Sequence, residues 1–287
     1  MQRKWLAVGI ILLFVGVTIA PTIAQNTEKS QSTSRGNWLY VGGSGPGNYT
    51  KIQDAIDNAS NGDTVFVFNG LYNEGEITTG KTISLIGQDK YSTIVNSPGF
   101  INSFELNNVN ISGFTIQRAR TGILSPSGNI IVFNNIIQNN TGGFWSKGDA
   151  SIIYENVVVN NLNYGIHVHG SDNQVYSNDV RNNGIGIEVY SGEYGGVGTK
   201  VYENNIYDNE IDATFENHMY EIIFNKWKNN YYGKTLFGPK CIKGTALIFA
   251  GIVFLPDITF ERIYKPVHWF KFDWHPAQEP YDIPGMR

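Results

Sequence analysis

One phrase recurs along the middle of the chain and leaves little freedom in what it can fold into. Phe133-Asn134-Asn135-Ile136-Ile137-Gln138-Asn139 is followed by Glu155-Asn156-Val157-Val158-Val159-Asn160-Asn161. Ser177-Asn178-Asp179-Val180-Arg181-Asn182-Asn183 and Glu203-Asn204-Asn205-Ile206-Tyr207-Asp208-Asn209 come next. The shared core is Asn-x-(Ile/Val)-x-x-Asn. With the first Asn as marker, copies fall at Asn134, Asn156, Asn178 and Asn204, in steps of 22, 22 and 26 residues. Weaker copies extend the series to Phe114 upstream (step 20) and Asn225 downstream (step 21). Short apolar runs at near-constant spacing, without helical periodicity, signal a repeat architecture.

Gly165-Ile166-His167-Val168-His169 and Gly186-Ile187-Glu188-Val189-Tyr190 alternate apolar with polar residues, the period of a strand. The Asn and Gly clusters between such runs supply the left-handed backbone that tight bends need. One coil of this kind cannot bury its apolar face. Stacked coils can, with Ile166, Val168, Ile187 and Val189 turned inward and neighbouring strands about 4.8 Å apart. An Asn recurring at one bend can bond its counterpart on the next rung through its amide donor and acceptor. The expected fold is all-β, a single-stranded parallel β-helix with an asparagine ladder. Leucine-rich repeats and propellers fit worse, because the leucine spacing of the first and the longer blade period of the second are missing.

The chain has 287 residues, 41% hydrophobic and 16% charged, with a net charge of −4. That is ample for one core, and a solenoid of this length is ordinarily one domain. Met1-Gln2-Arg3-Lys4, the apolar run Trp5 to Ala20 and the small residues of Thr22-Ile23-Ala24 read as a signal peptide or an uncleaved N-terminal anchor over residues 1–24. Cleavage would remove Arg3 and Lys4 and move the charge to −6. Either way the rest of the chain is expected outside the cytoplasm, secreted or at the cell surface. Membrane contact is expected only through that segment. An acidic surface without a basic run argues against nucleic acid as a partner. Residues 25–36 are polar and read as a linker. Cys241 stands alone, so no disulfide or cysteine-based metal site is expected, and it reads as a small buried residue near the end of the coil.

Within the domain expected at 37–233, Thr50 to Ala59 is the one convincing helix, with Thr50 as N-cap and an apolar stripe of Ile52, Ala55, Ile56 and Ala59. Laid across the open first coil, it would hide the apolar end and block edge pairing. Residues 234–287 leave the repeat. The apolar stretch Thr245 to Pro256 is too short for a spanning helix, and Val267 to Pro276 is aromatic and alternating. Both are expected to cap the last coil.

Thr50-x-Ile52-Gln53-x-Ala55-Ile56, Gly62-Asp63-Thr64-Val65, Gly70-x-Tyr72-x-Glu74 and Ile83-Ser84-Leu85-Ile86-Gly87 together resemble the N-terminal coil of pectin-lyase-like right-handed β-helix proteins. Ile111-Ser112-Gly113-Phe114-Thr115-Ile116 and the Asn repeats resemble the NosD-type (periplasmic copper-binding protein) branch. Asn229-Asn230-Tyr231-Tyr232-Gly233 is similar to the element that closes many such solenoids. The resemblance covers about residues 37–233, and the right-handed sense follows from it alone. It does not imply one activity, because this architecture carries lyases, hydrolases, esterases and adhesins.

Aligning Ile166 with Ile187, Phe144 and Ala213 places Trp145, His167, Glu188 and Thr214 in one outward column. Lys147, His169, Tyr190 and Glu216 form the next, beside a loop swollen by the 26-residue step at Ser191–Thr199. Three readings compete. The patch is a solvated sheet face with ordinary cross-strand pairs. Alternatively it binds a polysaccharide or cell-surface glycan, with Trp145 and Tyr190 stacking on sugars and Lys147, His167, His169 and Glu188 bonding hydroxyls. In the third reading His167, His169 and Glu188 bind copper or zinc, and the NosD-type resemblance favours copper. Lyase or hydrolase chemistry of the pectin-lyase type would draw on Asp149, Asp172, Glu188, Asp212 and Glu216, with Lys147 or Arg181 as base and calcium as cofactor. Asp149 and Asp172 lie at similar bends, where turn chemistry already explains an Asp. No three acidic residues gather on one face. The expectation is therefore a non-enzymatic exported scaffold that needs no cofactor.

Overall fold

The computed structural model describes residues 36–102, 108–190, 196–218, 225–254 and 260–285. The expected leader, and all but the last residue of the linker, lie outside them. Short strands from successive coils stack into three sheets. Sheet A has nine strands, from Trp38–Val41 to Lys226–Lys228. Sheet B has seven, from Gly70–Asn73 to Asn205–Tyr207. Sheet C takes one strand from each coil between Ile77–Thr79 and Ile211–His218, then adds the hairpin Lys240–Phe254/Phe260–Asp273. Coil-to-coil pairing is parallel, and only the hairpin's two strands pair antiparallel. This is the parallel β-solenoid expected from the repeat.

Burial follows the alternation. Ile166, Val168, Ile187 and Val189 are no more than 2% exposed and belong to one continuous core. Three columns of left-handed residues turn the chain between sheets. At the first bend Asn134, Glu155, Ser177 and Glu203 take φ of 53, 54, 51 and 56°. Glutamate and serine rarely adopt this conformation, and the side chain next in sequence explains why they do here. Asn156 Nδ2 donates to Asn178 Oδ1 (3.0 Å), Asn178 to Asn204 (3.0 Å), and Asn204 to Asn230 (2.9 Å).

The first rung departs from the expected register. Asn135, not Asn134, donates to Asn156 (3.2 Å), so the steps are 21, 22, 26 and 26. Phe114 does occupy the rung above, its N–H donating to Asn135 Oδ1. Asn225, expected as the downstream marker, sits at another bend and accepts from Thr199 N–H, and Asn230 takes the ladder position instead. The second Asn of the repeat core builds a parallel ladder of its own, Asn140–Asn161–Asn183–Asn209.

The helix runs from Ile52 to Asn58, and Ile52, Ala55, Ile56 and Ala59 are buried as the stripe requires. Its cap differs from expectation. Lys51, not Thr50, holds the N-cap position without a side-chain bond. The Glu74 carboxylate instead accepts from Ile52 N–H (2.6 Å) and Gln53 N–H (3.1 Å). At the other end Lys81 Nζ donates to the carbonyls of Ile56, Asp57 and Ala59. Opposite charges thus sit at the two ends of the helix dipole, each in its favourable place.

Cys241, expected to be buried, is exposed on the hairpin. The hairpin's first strand pairs with the last coil through Glu216–Thr245, Asn217–Ala246 and His218–Leu247. Its second strand ends on Asp273, whose carboxylate accepts from Asn229 N–H, Asn230 N–H and Asn230 Nδ2. A carboxylate therefore terminates the line of amides. From there the tail runs back toward the early coils. Asn205 clamps the Tyr281 backbone, donating to its carbonyl and accepting from its N–H, and Lys90 Nζ donates to the Pro284 carbonyl (2.6 Å). Among the described residues no helix is long and apolar enough to cross a membrane.

Candidate functional face on sheet C

Four strands carry the face: Gly142–Ser146, Tyr164–His169, Ile185–Tyr190 and Ile211–His218. Their register pairs Phe144 with Ile166, Ile166 with Ile187 and Ile187 with Ala213, all inward. Outward, Trp145 lies beside His167, His167 beside Glu188 and Glu188 beside Thr214. His169, Tyr190 and Glu216 form the adjacent column. Lys147 follows its strand directly and is anchored through its N–H to the Ser125 carbonyl (2.8 Å). Both expected columns therefore exist. The insertion falls between Tyr190 and Lys200, although residues 191–195 of the loop lie outside the described residues.

The side chains are mutually engaged. His167 Nδ1 lies 2.7 Å from Glu188 Oε2, with side chains 16% and 22% exposed. A carboxylate accepts only, so Nδ1 carries the proton and the tautomer is fixed. Trp145 meets the His167 ring edge-on at 5.5 Å, and Tyr190 lies 5.9 Å from His167 and 5.0 Å from His169. Lys147 Nζ rests 4.2 Å from the centre of the Trp145 ring. Trp145 Nε1 is buried without a hydrogen-bond partner among the described residues.

Sequence reasoning missed Tyr164, which packs 6.2 Å from Trp145 and 5.6 Å from His167, with its hydroxyl 3.2 Å from Thr121 Oγ1. Burial pushes its phenol above the ordinary value. Strict alternation from His167 turns Tyr164 inward. The phase slips at Gly165, where two consecutive residues are buried, and the next strand repeats the slip at Gly186. The cause is contact with the second ladder: a Cβ on Gly165 would stand 3.0 Å from Asn183 Nδ2 and 2.8 Å from the Gly186 carbonyl. A Gly at the entry to sheet C on four successive coils, Gly122, Gly143, Gly165 and Gly186, was the signal available.

The copper donor set does not assemble. His167 Nδ1 is taken by Glu188, His169 is turned edge-on to Tyr190, and the cysteine sulfur is remote on the exposed hairpin. Among the described residues no group of three or more His, Cys, Asp or Glu could hold a metal ion. The expected acid and base candidates also have structural partners. Asp149 Oδ1 accepts from Ser171 N–H (2.6 Å), and Asp212 pairs with Lys240 (3.4 Å). Asp149 and Asp172 are not bend equivalents, since Ala150 shares the left-handed position with Asp172. Arg181 Nε pairs with Asp179 Oδ2 (3.0 Å) on sheet B, where burial raises the Asp179 carboxyl and the guanidinium opposes the rise.

No curated protein matches the chain. A family model described as periplasmic copper-binding protein (NosD) matches residues 56–244, well over half of the chain and most of the solenoid. With the stacked coils and amide ladders on the same residues, this shows that the chain belongs to the NosD family of β-helix proteins.

Proposed function

We propose that this chain is an exported, non-catalytic β-helix scaffold that holds a polysaccharide against the outward face of sheet C. The observation that carries the reading is the register, which sets Trp145, His167 and Glu188 in one column beside Lys147, His169 and Tyr190. Aromatic rings beside hydrogen-bonding groups on a rigid, extended sheet suit a ligand with apolar ring faces and many hydroxyls. The His167–Glu188 pair keeps carboxylate and imidazole in fixed positions from which free lone pairs and the ring Nε2 can bond hydroxyls. Lys147 covers one face of Trp145. An exposed cation–π contact is worth about 0.5–1 kcal/mol, so a sugar can displace this exposed side chain. The signal-like N-terminus and the family's periplasmic description support export. That description also names copper, which the residues of this face do not fit.

A glycan array tests the reading. The wild-type chain is expected to bind at least one glycan class, with affinity reduced tenfold or more in Trp145→Ala while that variant remains folded at the assay temperature. Absence of binding to every glycan, or binding indifferent to Trp145→Ala, refutes it. Release of unsaturated or reducing sugar ends from uronate polymers, lost in Lys147→Ala or Asp149→Ala, would put the lyase alternative in its place.

A further inference from the structure

A separate concavity of about 690 Å³ opens on sheet A at the C-terminal end of the solenoid. Its floor is the outward face of the last two strands, Lys200–Tyr202 and Lys226–Lys228, and its wall is the end of the hairpin, including Phe272 and Trp274. Alternation buries Val201 and Trp227 and turns Lys200, Tyr202, Lys226 and Lys228 outward.

Stability does not explain this lining. Lys200 is the direct cross-strand partner of Lys226, and Lys228 follows two residues on. Like charges directly opposite one another destabilise a sheet. None of the three forms an ion pair among the described residues, in a chain whose net charge is −4. The wall is equally unusual, because Phe272 is 40% and Trp274 66% exposed, with their rings 5.3 Å apart. Tyr202 completes the floor as the last ring of the stacked column Phe133–Tyr154–Tyr176–Tyr202, whose centroids repeat every 5.0–5.1 Å. Its volume lies within the range of about 300–1,000 Å³ typical of small-molecule sites, which combine aromatic lining with a few placed polar groups.

We infer that this groove binds an organic anion with a flat apolar body, the acidic group held by Lys200, Lys226 and Lys228 and the body laid against Tyr202, Phe272 and Trp274. A neutral apolar molecule would leave the lysines unneutralised, and an inorganic anion would leave the aromatic wall uncovered. The inference stands apart from the glycan reading, which concerns another sheet.

Calorimetric titration of the whole chain with 2-naphthoate tests it, with 2-naphthylmethanol as the neutral counterpart and acetate as the anion without a body. One 2-naphthoate per chain is expected, at least tenfold tighter than 2-naphthylmethanol or acetate and weakening as salt rises. Lys200→Gln/Lys226→Gln is expected to reduce naphthoate affinity tenfold or more without lowering the melting temperature, since it removes a repulsive pair. Trp274→Ala, at an exposed position, is expected to weaken both naphthyl compounds alike. Equal affinity for 2-naphthoate and 2-naphthylmethanol, binding that survives Lys200→Gln/Lys226→Gln, or no 2-naphthoate binding at millimolar concentration overturns the inference.

Discussion

Replacing Asn178 with Ala is expected to destabilise the chain by about 3–5 kcal/mol, the largest loss from any single side chain on the bends. Asn178 is fully buried. Its Nδ2 donates to the carbonyls of Ile153 and Tyr176 (2.9 Å each) and to Asn204 Oδ1 (3.0 Å). Its Oδ1 accepts from the backbone and side-chain amides of Asn156 (3.1 and 3.0 Å). Truncation strands donors on the rung above and acceptors on that rung, its own and the one below, and a buried unsatisfied group costs about 1–3 kcal/mol. The alignment of these bonds adds to the effect, because each amide polarises the next. Asn134→Gly is the matched control. It keeps the left-handed bend and loses only the bond from Lys90 Nζ, so about 1 kcal/mol is expected. Urea midpoints of the two variants check the contrast. Equal, small effects would mean that the ladder does not stabilise the stack.

The second large effect is at Asp273, where Ala is expected to cost about 3–4 kcal/mol and Asn only about 1 kcal/mol. The ladder's amides all donate toward the C-terminal end, so its last rung presents unmatched N–H groups. Asp273, fully buried, accepts from Asn229 N–H (3.0 Å), Asn230 N–H (2.8 Å) and Asn230 Nδ2 (3.0 Å). It also takes a longer bond from the Tyr232 hydroxyl (3.4 Å), a phenol that burial pushes well above its ordinary value. The carboxylate does here what an anion does at a helix N-terminus, meeting the positive end of aligned dipoles. Asn at the same place would extend the ladder by one amide, keeping the acceptor for Asn230 while losing the charge and the part-buried bond from Asn229 N–H. Thermal unfolding of Asp273→Ala and Asp273→Asn reads the difference, and equal losses in the two would mean that the charge alone, not an acceptor at the end of the ladder, carries the effect.

The solenoid was legible because its constraint repeats. Period-2 runs and bend residues recur often enough that the register of sheet C, including Trp145 beside His167 and Tyr190 beside His169, follows from aligning inward Ile and Val. The error at Asn134 has a simple origin. Two asparagines stand side by side there, so the repeat core fits in two frames, and only the preceding aromatic, Phe133 in line with Tyr154, Tyr176 and Tyr202, selects the right one. The helix cap was hidden for another reason. Glu74 lies 22 residues from the amide it receives, and no local rule connects them. The C-terminal contacts are more remote still, at separations of 76 residues for Asn205–Tyr281 and 194 for Lys90–Pro284. The groove on sheet A was invisible for the same reason, since its floor and wall meet only once the hairpin has folded back.

Distances between nitroxide labels along one outward column test the central claim most directly. In a Cys241→Ser background, Phe66→Cys/Lys228→Cys and Phe133→Cys/Lys228→Cys place labels on the column Phe66–Ile86–Ser112–Phe133–Tyr154–Tyr176–Tyr202–Lys228 of sheet A. At about 4.8 Å per rung, seven rungs give a backbone separation of about 34 Å and four give about 19 Å. Label distances close to those two values, about 4.8 Å for each rung between the sites, are the predicted result. Two distances that fail to scale with the rungs would contradict the stacked coil.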